Sequence, residues 1–369
     1  MLTSRFRQLI LILAALSVGQ SAAIGQTPTP KPKATPDDEV IKIESRLVVV
    51  PVSVTDANAS PVVGLTAKDF RIAEENKQQT IESLGNADVV PLEIALLFDV
   101  SASTDTMFKF EQETAAKFLQ DVMRANDRAT IFTVGERGVL VQARDTAERS
   151  MVSIRAITPT KEQTAFYDAL RYAADHLKKN APQGSRKVIV IISDGEDTNS
   201  EGIIKAIWNA ERKITDDVQG EKLRDLRVKA RDTAKIAEQV KVLKSLQDAD
   251  TVFYSINPAG SSYQLNKISV FGQQNMQRFA DETGGTAFLP KFAPIDTKDT
   301  YQNGNNVRKN QELLSLIFRQ LASELRSQYL IQYYSDSEFP LNKFVKLDVR
   351  LTNRSDLHLR ARQGYYVKN

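Results

Sequence analysis

Apolar and polar residues alternate along the first part of the chain, between residues 40 and 88. Valines occupy every second position from Val48 to Val54, which places them on one side of a predicted strand. Further short strands are predicted at 70–73 and 79–84, separated by the polar turn Glu75-Asn76-Lys77. This part of the chain is therefore predicted to be all β.

Strands and helices alternate between residues 89 and 327. Continuous apolar runs predict buried strands, amphipathic periods predict helices, and a Gly-Gly-Thr-Ala-Phe-Leu run predicts one more short strand. The predicted strands are 92–98, 129–134, 187–192 and 251–256, and the predicted helices are 106–124, 165–179, 273–283 and 311–326. The alternation predicts an α/β domain with a doubly wound, mostly parallel sheet, whose ligands gather at the carboxyl ends of the strands.

The end of the chain, residues 328–369, returns to strands at 329–334, 344–351 and 357–361. Three strands here and about four near the other end make roughly seven, the number in an immunoglobulin-like β-sandwich. Because chain ends usually lie close together, we expect both ends to form one such sandwich, with the α/β domain inserted between them.

The connection between Ser200 and Thr251 is longer than a single helix requires. Its apolar spacing predicts two charged helices broken near Gly220, a helical insertion at about 204–248. Two interpretations stay open. The insertion is either a solvated arm with one face on the domain or a partner-binding arm beside the site described below.

The first 25 residues have the pattern of a secretory signal peptide. Arg5 and Arg7 precede an apolar run from Leu9 that ends in small residues, and this run is about half the ~20 residues of a membrane-spanning helix. Residues 26–39, rich in proline, predict an extended linker. We therefore expect a periplasmic or secreted protein with no stable membrane anchor after cleavage of the signal peptide.

The composition narrows the chemistry that the chain can carry. It has no cysteine and only two histidines, which excludes disulfides, thiolate metal sites and cysteine nucleophiles and leaves little room for histidine-based sites. The formal charge of +3 at pH 7 gives no electrostatic reason to expect nucleic acid as a partner. Any functional site is expected to use oxygen ligands.

Oxygen-bearing side chains follow two of the predicted strands. Asp99, Ser101 and Ser103 are two residues apart directly after the strand 92–98, Asp194 follows the strand 187–192, and Thr164 lies at the start of a helix. Carboxylates and hydroxyls at one sheet edge indicate a site for a hard cation. This mixed set of ligands suits Mg²⁺ better than Ca²⁺, which favours a larger cage of carboxylates. Ca²⁺ and Mn²⁺ stay open as alternatives.

These five residues, with the flanking runs LLFDVSAS, TAFYDAL and VIVIISDGEDT, resemble the von Willebrand factor type A (VWA) domain over about residues 90–327. That family's metal-ion-dependent adhesion site (MIDAS) has a D-x-S-x-S loop with a Thr and an Asp from two other loops. The resemblance implies that the three hydroxyls bind Mg²⁺ directly, that the two Asp bind it directly or through water, and that one coordination position accepts a partner's Asp or Glu. Both chain ends also look like those of an exported bacterial VWA-related family common among acidobacteria.

The leading functional hypothesis is an exported, non-enzymatic adhesion or binding protein that uses the metal to bind an acidic group of a protein partner. A metal-dependent hydrolase with the same oxygen ligands is the main alternative, but it needs a general base, and neither His176 nor His358 has a sequence context that suggests one. An assembly module with a purely structural metal site is a third hypothesis.

Overall fold

The middle of the chain forms a six-stranded sheet covered by helices, as a computed structural model shows. The structure describes residues 46–101, 106–160, 162–214, 219–258, 267–295 and 298–368. The predicted signal peptide, the linker and the candidate ligand Ser103 lie outside the described residues.

Fourteen strands and seven helices are found in the described part of the chain. The strands are β1 (Arg46–Thr55), β2 (Phe70–Glu74), β3 (Lys77–Gln79), β4 (Ser83–Asn86), β5 (Leu92–Asp99), β6 (Arg128–Val134), β7 (Gly138–Asp145), β8 (Arg186–Ile192), β9 (Thr251–Ile256), β10 (Ala287–Phe288), β11 (Tyr329–Ser335), β12 (Phe344–Leu351), β13 (His358–Ala361) and β14 (Gly364–Tyr366). The helices are α1 (Thr106–Val122), α2 (Ala147–Arg155), α3 (Phe166–Asn180), α4 (Glu201–Glu211), α5 (Glu221–Asp248), α6 (Lys267–Thr283) and α7 (Thr300–Ser327).

The six-stranded sheet has the order β10-β9-β8-β5-β6-β7, and all neighbours are parallel except β6 and β7. From β5 the chain moves outward through β6 to β7 and then returns to β8 on the other side of β5. In open α/β sheets, ligands bind where the order reverses in this way, beyond the carboxyl ends of the strands. The predicted mostly parallel sheet is confirmed, and its reversal point lies between the two strands that carry Asp99 and Asp194.

Both faces of this sheet are buried, which explains the continuous apolar runs of its strands. Leu96 of β5 packs in a cluster with Phe118 of α1 and Phe318 of α7 on one face. Leu97 packs with Phe279 of α6 on the other face, in a cluster that also includes residues of α3 and α5. With apolar contacts on both sides, β5 gives Asp99 a rigid support.

Strands from both chain ends form two four-stranded sheets, with the orders β13-β1-β11-β4 and β14-β12-β2-β3. One apolar cluster contains residues of both sheets, including Val50 and Ile331 of the first and Ile72 and Val345 of the second. β1 pairs with β11, and β2 pairs with β12, so each sheet joins strands from the two ends. The expected combination of an α/β sheet with β-sheets from both ends is confirmed.

This β structure contains eight described strands instead of about seven, because the chain changes sheets at two places that the sequence pattern did not reveal. The predicted strand 79–84 is in fact divided between β3 and β4, which belong to different sheets. Likewise, β13 pairs with β1, whereas β14 pairs with β12.

The long connection after β8 contains α4 and α5, with the predicted break near Gly220. The later turns of α5 bury one face, including Val242 and Leu246, against the sheet and its neighbouring helices. One face of α5 therefore lies on the α/β part of the chain, and the role of the insertion stays a prediction. Among the described residues, no helix has both the length and the apolar composition needed to cross a membrane.

Candidate metal centre

Asp99 is the last residue of β5, and both oxygens of its carboxylate accept hydrogen bonds. Oδ1 accepts from the backbone N–H of Ser101 at 3.0 Å and from the Ser101 hydroxyl at 2.6 Å. Oδ2 accepts from the hydroxyl of Ser193 at 2.6 Å. A hydroxyl that donates its proton to a carboxylate keeps its oxygen lone pairs for another partner. Ser101 is thus prepared to act as a neutral oxygen ligand beside Asp99.

Asp194 lies in the loop after β8, directly following Ser193. Its Oδ1 accepts a hydrogen bond from the backbone N–H of Glu196 at 2.9 Å, which fixes the carboxylate in a tight local turn. The Ser193 hydroxyl accepts from the N–H of Gly195 at 3.1 Å while it donates to Asp99. This loop is therefore tied to the end of β5.

Thr164 is a buried residue just before α3, and its backbone is held by the same loop. Its N–H donates to the hydroxyl of Thr198 at 3.0 Å, and its carbonyl accepts from the N–H groups of Thr198 and Asn199, both at 2.9 Å. The loop after β8 thus contacts both other segments that carry candidate ligands.

Burial determines the electrostatics of the two carboxylates. It raises the pKa of Asp99, against the opposing effect of the hydrogen bonds from Ser101 and Ser193. Burial likewise raises the pKa of Asp194 to about 6; the Glu196 N–H opposes this rise and the negative charge of Asp99 adds to it. Neither carboxylate forms an ion pair with a Lys, Arg or His in the part of the chain that the structure describes.

Asp197, in the same loop as Asp194, connects this loop to α3. It is buried, and its carboxylate accepts hydrogen bonds from the N–H of Tyr167 at 2.9 Å and from the N–H and hydroxyl of Ser200. The N–H of Tyr167 belongs to the first turn of α3, so Asp197 ties the loop after β8 to the helix that follows Thr164. This role is structural.

The four described candidates, Asp99, Ser101, Thr164 and Asp194, lie at the end of β5 and in the loops that adjoin it at the carboxyl edge of the sheet. Sequence reasoning missed Ser193 as a support for this arrangement, although it immediately precedes Asp194 in the run VIVIISDGEDT. No group of three or more His, Cys, Asp or Glu residues suited to a metal occurs among the described residues. A cation held here would therefore depend on hydroxyl ligands as well as on the two carboxylates.

The donor set fits a hard divalent cation. Two neighbouring carboxylates that are desolvated and unpaired with basic residues repel each other, and a cation between them relieves that repulsion. Hydroxyl and carboxylate oxygens are ligands that Mg²⁺ and Ca²⁺ both accept.

The sequence from residue 94 to residue 196 matches the family model of the von Willebrand factor type A domain. This segment includes the D-x-S-x-S loop, Thr164 and Asp194. The resemblance at the level of the domain is confirmed, whereas the narrower likeness to an exported acidobacterial family stays a prediction. No curated protein matches the chain.

Among solved structures, the chain is similar to an aerotolerance-related membrane protein from Bacteroides fragilis, with 15% identity, 60% of this chain and 98% of that chain covered, and a TM-score of 0.35. It is also similar to the PilB minor pilin from Streptococcus sanguinis, with 13% identity, coverage of 64% and 62%, and a TM-score of 0.41. A third similar structure is proximal thread matrix protein 1 from the mussel byssus with a zinc-occupied MIDAS motif, with 12% identity, coverage of 68% and 49%, and a TM-score of 0.39.

Proposed function

We propose that this protein binds a divalent cation, Mg²⁺ in the first place, through Asp99, Ser101, Ser103, Thr164 and Asp194, and uses it to hold an acidic side chain of a protein partner. The observation that carries the proposal is the pair of partly buried carboxylates, Asp99 and Asp194, at the reversal point of the sheet without a basic partner among the described residues. The match of residues 94–196 to the VWA domain supports it.

When bound, the cation would supply an electrophilic centre that attracts a carboxylate. Residues of the chain itself would supply the ligand charge, the neutral ligand oxygens and the positioning of both. Asp99 and Asp194 would contribute negative charge, and the hydroxyls of Ser101, Ser103 and Thr164 would contribute neutral oxygens. The ligands would thus balance the charge of the ion without exceeding it. The hydrogen bonds from Ser193 and Glu196 keep the two carboxylates in place before the ion arrives.

A binding role suits the site better than a catalytic one. Hydrolysis needs a group that removes a proton from water close to the metal. His176 packs against Phe132 and Tyr172 on the sheet side of α3, and His358 begins β13 opposite Thr55. Neither histidine is part of the three loops that carry Asp99, Thr164 and Asp194, so we assign no catalytic residue.

The domain assignment and the location of the protein belong to the same proposal. Residues 40–88 and 328–369 would form one β domain, and residues 89–327 the inserted VWA domain. Export to the periplasm or the exterior, after removal of residues 1–25, would bring the metal site to partners on the cell surface or outside the cell.

The test combines ion binding with partner capture. Isothermal titration calorimetry of Mg²⁺, Mn²⁺ and Ca²⁺ into the full chain should show one ion bound per molecule, and Asp99→Ala should abolish it. Capture of proteins from the native cell envelope should then require Mg²⁺ and fail with chelator or with Asp99→Ala. The matched control is Asp121→Ala, an exposed aspartate in the last turn of α1. Absence of ion binding by the parent chain, or capture that survives both chelation and Asp99→Ala, would refute the proposal.

A further inference from the structure

The backbone of helix α6 touches the backbone of the loop that carries Asp194. A Cβ atom on Gly272 would lie 2.6 Å from the carbonyl carbon and from the carbonyl oxygen of Gly195, and 2.9 Å from the carbonyl oxygen of Asp194. Conversely, a Cβ atom on Gly195 would lie 2.8 Å from the carbonyl oxygen of Gly272. Because contacts this short are sterically excluded, the approach requires glycine on both sides.

The contact limits the position of the loop that carries Asp194, residues 193–200, called the metal loop below. Gly195 has a φ of +77°, which only glycine adopts readily, and its N–H is bound by the hydroxyl of Ser193. That same hydroxyl donates to Asp99. The peptide at Asp194 and Gly195 therefore contacts both Gly272 and the Ser193 hydroxyl that binds Asp99.

Helix α6 is in turn held by its neighbours. Asn275, less than one turn after Gly272, donates to the hydroxyl of Tyr167 in α3 at 2.6 Å and accepts from the side-chain amide of Gln239 in α5. All three side chains are buried. The ammonium group of Lys235, also in α5, lies 5.6 Å from the ring centroid of Phe271. Thus α5, part of the long connection between β8 and β9, braces α6 where α6 meets the metal loop.

We propose that Gly272 is a positioning residue of the metal centre and that the inserted helix α5, through the Gln239–Asn275 hydrogen bond, holds it in place. This inference rests on the proposed metal binding. The helical insertion would then set the affinity of the metal centre for its ion. Neither a solvated arm nor a separate partner-binding arm would have this role. A larger side chain at position 272 would displace the Asp194 loop relative to Asp99 and so change the spacing of the two carboxylates.

The direct test is Gly272→Ala, with Gly304→Ala as the matched control, because Gly304 lies in α7 with nothing within 4 Å of an added Cβ atom. We expect Gly272→Ala to weaken Mg²⁺ and Mn²⁺ binding at least tenfold by calorimetry, and Gly304→Ala to leave it unchanged. A role confined to packing would lower the melting temperature of the metal-free chain and leave the ion affinity of the folded protein as it was. Unchanged affinity in Gly272→Ala would overturn the inference.

A second pair of variants keeps the inference testable if Gly272→Ala does not fold. Gln239→Ala removes the brace from α5 without a steric clash, and Gln277→Ala removes an exposed glutamine of α6 that binds Asp281. We expect a severalfold loss of ion affinity only for Gln239→Ala, and equal affinities in the two variants would overturn the inference. Failure of the parent chain to bind any of the ions would instead refute the proposed function itself, and the inference with it.

Discussion

Ser193 donates a hydrogen bond from its hydroxyl to Asp99 Oδ2 across 2.6 Å, and so joins the end of β8 to the end of β5. These two strands are neighbours in the sheet and flank the point where its strand order reverses. The hydroxyl also accepts the N–H of Gly195. One serine therefore fixes both the carboxylate of Asp99 and the loop that presents Asp194.

Replacing Ser193 with alanine should weaken both folding and ion binding. The variant loses a hydrogen bond to a partly buried carboxylate, and a hydrogen bond to a charged group typically contributes about 1.5–3 kcal/mol to the free energy of unfolding. We also expect a severalfold weaker Mg²⁺ affinity, because Asp99 and the Asp194 loop would no longer be joined. Urea unfolding and calorimetry measure the two effects. Ser185→Ala, at a surface turn where the hydroxyl binds the carbonyl of Pro182, is the control. Equal ion affinities in the two variants would contradict the prediction.

Replacing Asp194 with asparagine should stabilise the metal-free protein near neutral pH. The pKa of Asp194 is raised from 3.8 to about 6 in the folded state, so the folded state binds its proton more tightly than the unfolded state does. The contribution of this group to stability is therefore fully present below about pH 4 and is lost as the pH rises through about 6. Since asparagine carries no charge, we expect Asp194→Asn to be more stable than the parent by about 1–3 kcal/mol at about pH 7.5 in chelator.

The measurement is urea unfolding in chelator at several pH values, followed by melting curves with Mg²⁺. The advantage of Asp194→Asn should disappear at about pH 4, where the parent carboxyl is protonated. Mg²⁺ should raise the melting temperature of the parent and have little effect on the variant. Asp121→Asn, at an exposed position of α1, serves as the control. An advantage that is the same at both pH values would show that charge on Asp194 is not its cause.

The α/β part of the fold could be predicted because its signals are local. The central parallel strands are continuous apolar runs; Asp99 directly follows one such run, and Asp194 follows another after Ser193. The sequence pattern predicts neither β7 nor α2. In β7 the outward positions Val139 and Val141 are exposed at the sheet edge, so the strand does not stand out as a buried one. α2 has only nine residues, too few for a clear helical period.

What the sequence could not reveal depends on contacts between distant segments. The backbone contact between Gly195 and Gly272 and the burial of Asp197 under α3 arise only when separate loops meet. The sequence pattern predicts a helix that begins at Gln311, but α7 begins at Thr300, because its first turns are polar and lack an apolar stripe. There, Asp299 caps the helix by accepting from the N–H groups of Tyr301 and Gln302.

A buried carboxylate in the β-sandwich provides a stability test that is independent of the metal. Glu74 is 1% exposed and accepts hydrogen bonds from the hydroxyls of Tyr333, Ser335 and Tyr365. Glu74→Ala would leave three buried hydroxyls without their acceptor, so we expect a loss of about 3 kcal/mol in the free energy of unfolding. Urea unfolding measures it, with Glu75→Ala, at a partly exposed neighbouring position, as control. Ion affinity should not change, and a loss under 1 kcal/mol would show that water replaces the carboxylate.

The junction between the α/β sheet and the sandwich depends on another buried carboxylate, Glu324 of α7. It is 2% exposed and accepts from the guanidinium of Arg360 in β13 at 3.0 Å, from Tyr254 in β9 at 3.2 Å and from Thr286 at 3.1 Å. Arg360→Ala would leave a buried negative charge with only neutral donors. Because an uncompensated buried charge is strongly destabilising, we expect a loss of about 3–5 kcal/mol.

The companion variant separates charge from packing at this junction. In the double variant Arg360→Ala with Glu324→Gln, no charge is left unpaired, so it should recover a large part of the stability lost in Arg360→Ala alone. Arg350→Ala, whose side chain is 75% exposed and pairs with Asp348 at the surface, should cost less than 1 kcal/mol. Thermal and urea unfolding of the variants measure these differences. Two results would contradict this: Arg360→Ala lowers the free energy of unfolding no more than Arg350→Ala does, or the double variant is less stable than Arg360→Ala. In either case the Glu324–Arg360 pair does not hold the α/β sheet and the sandwich together.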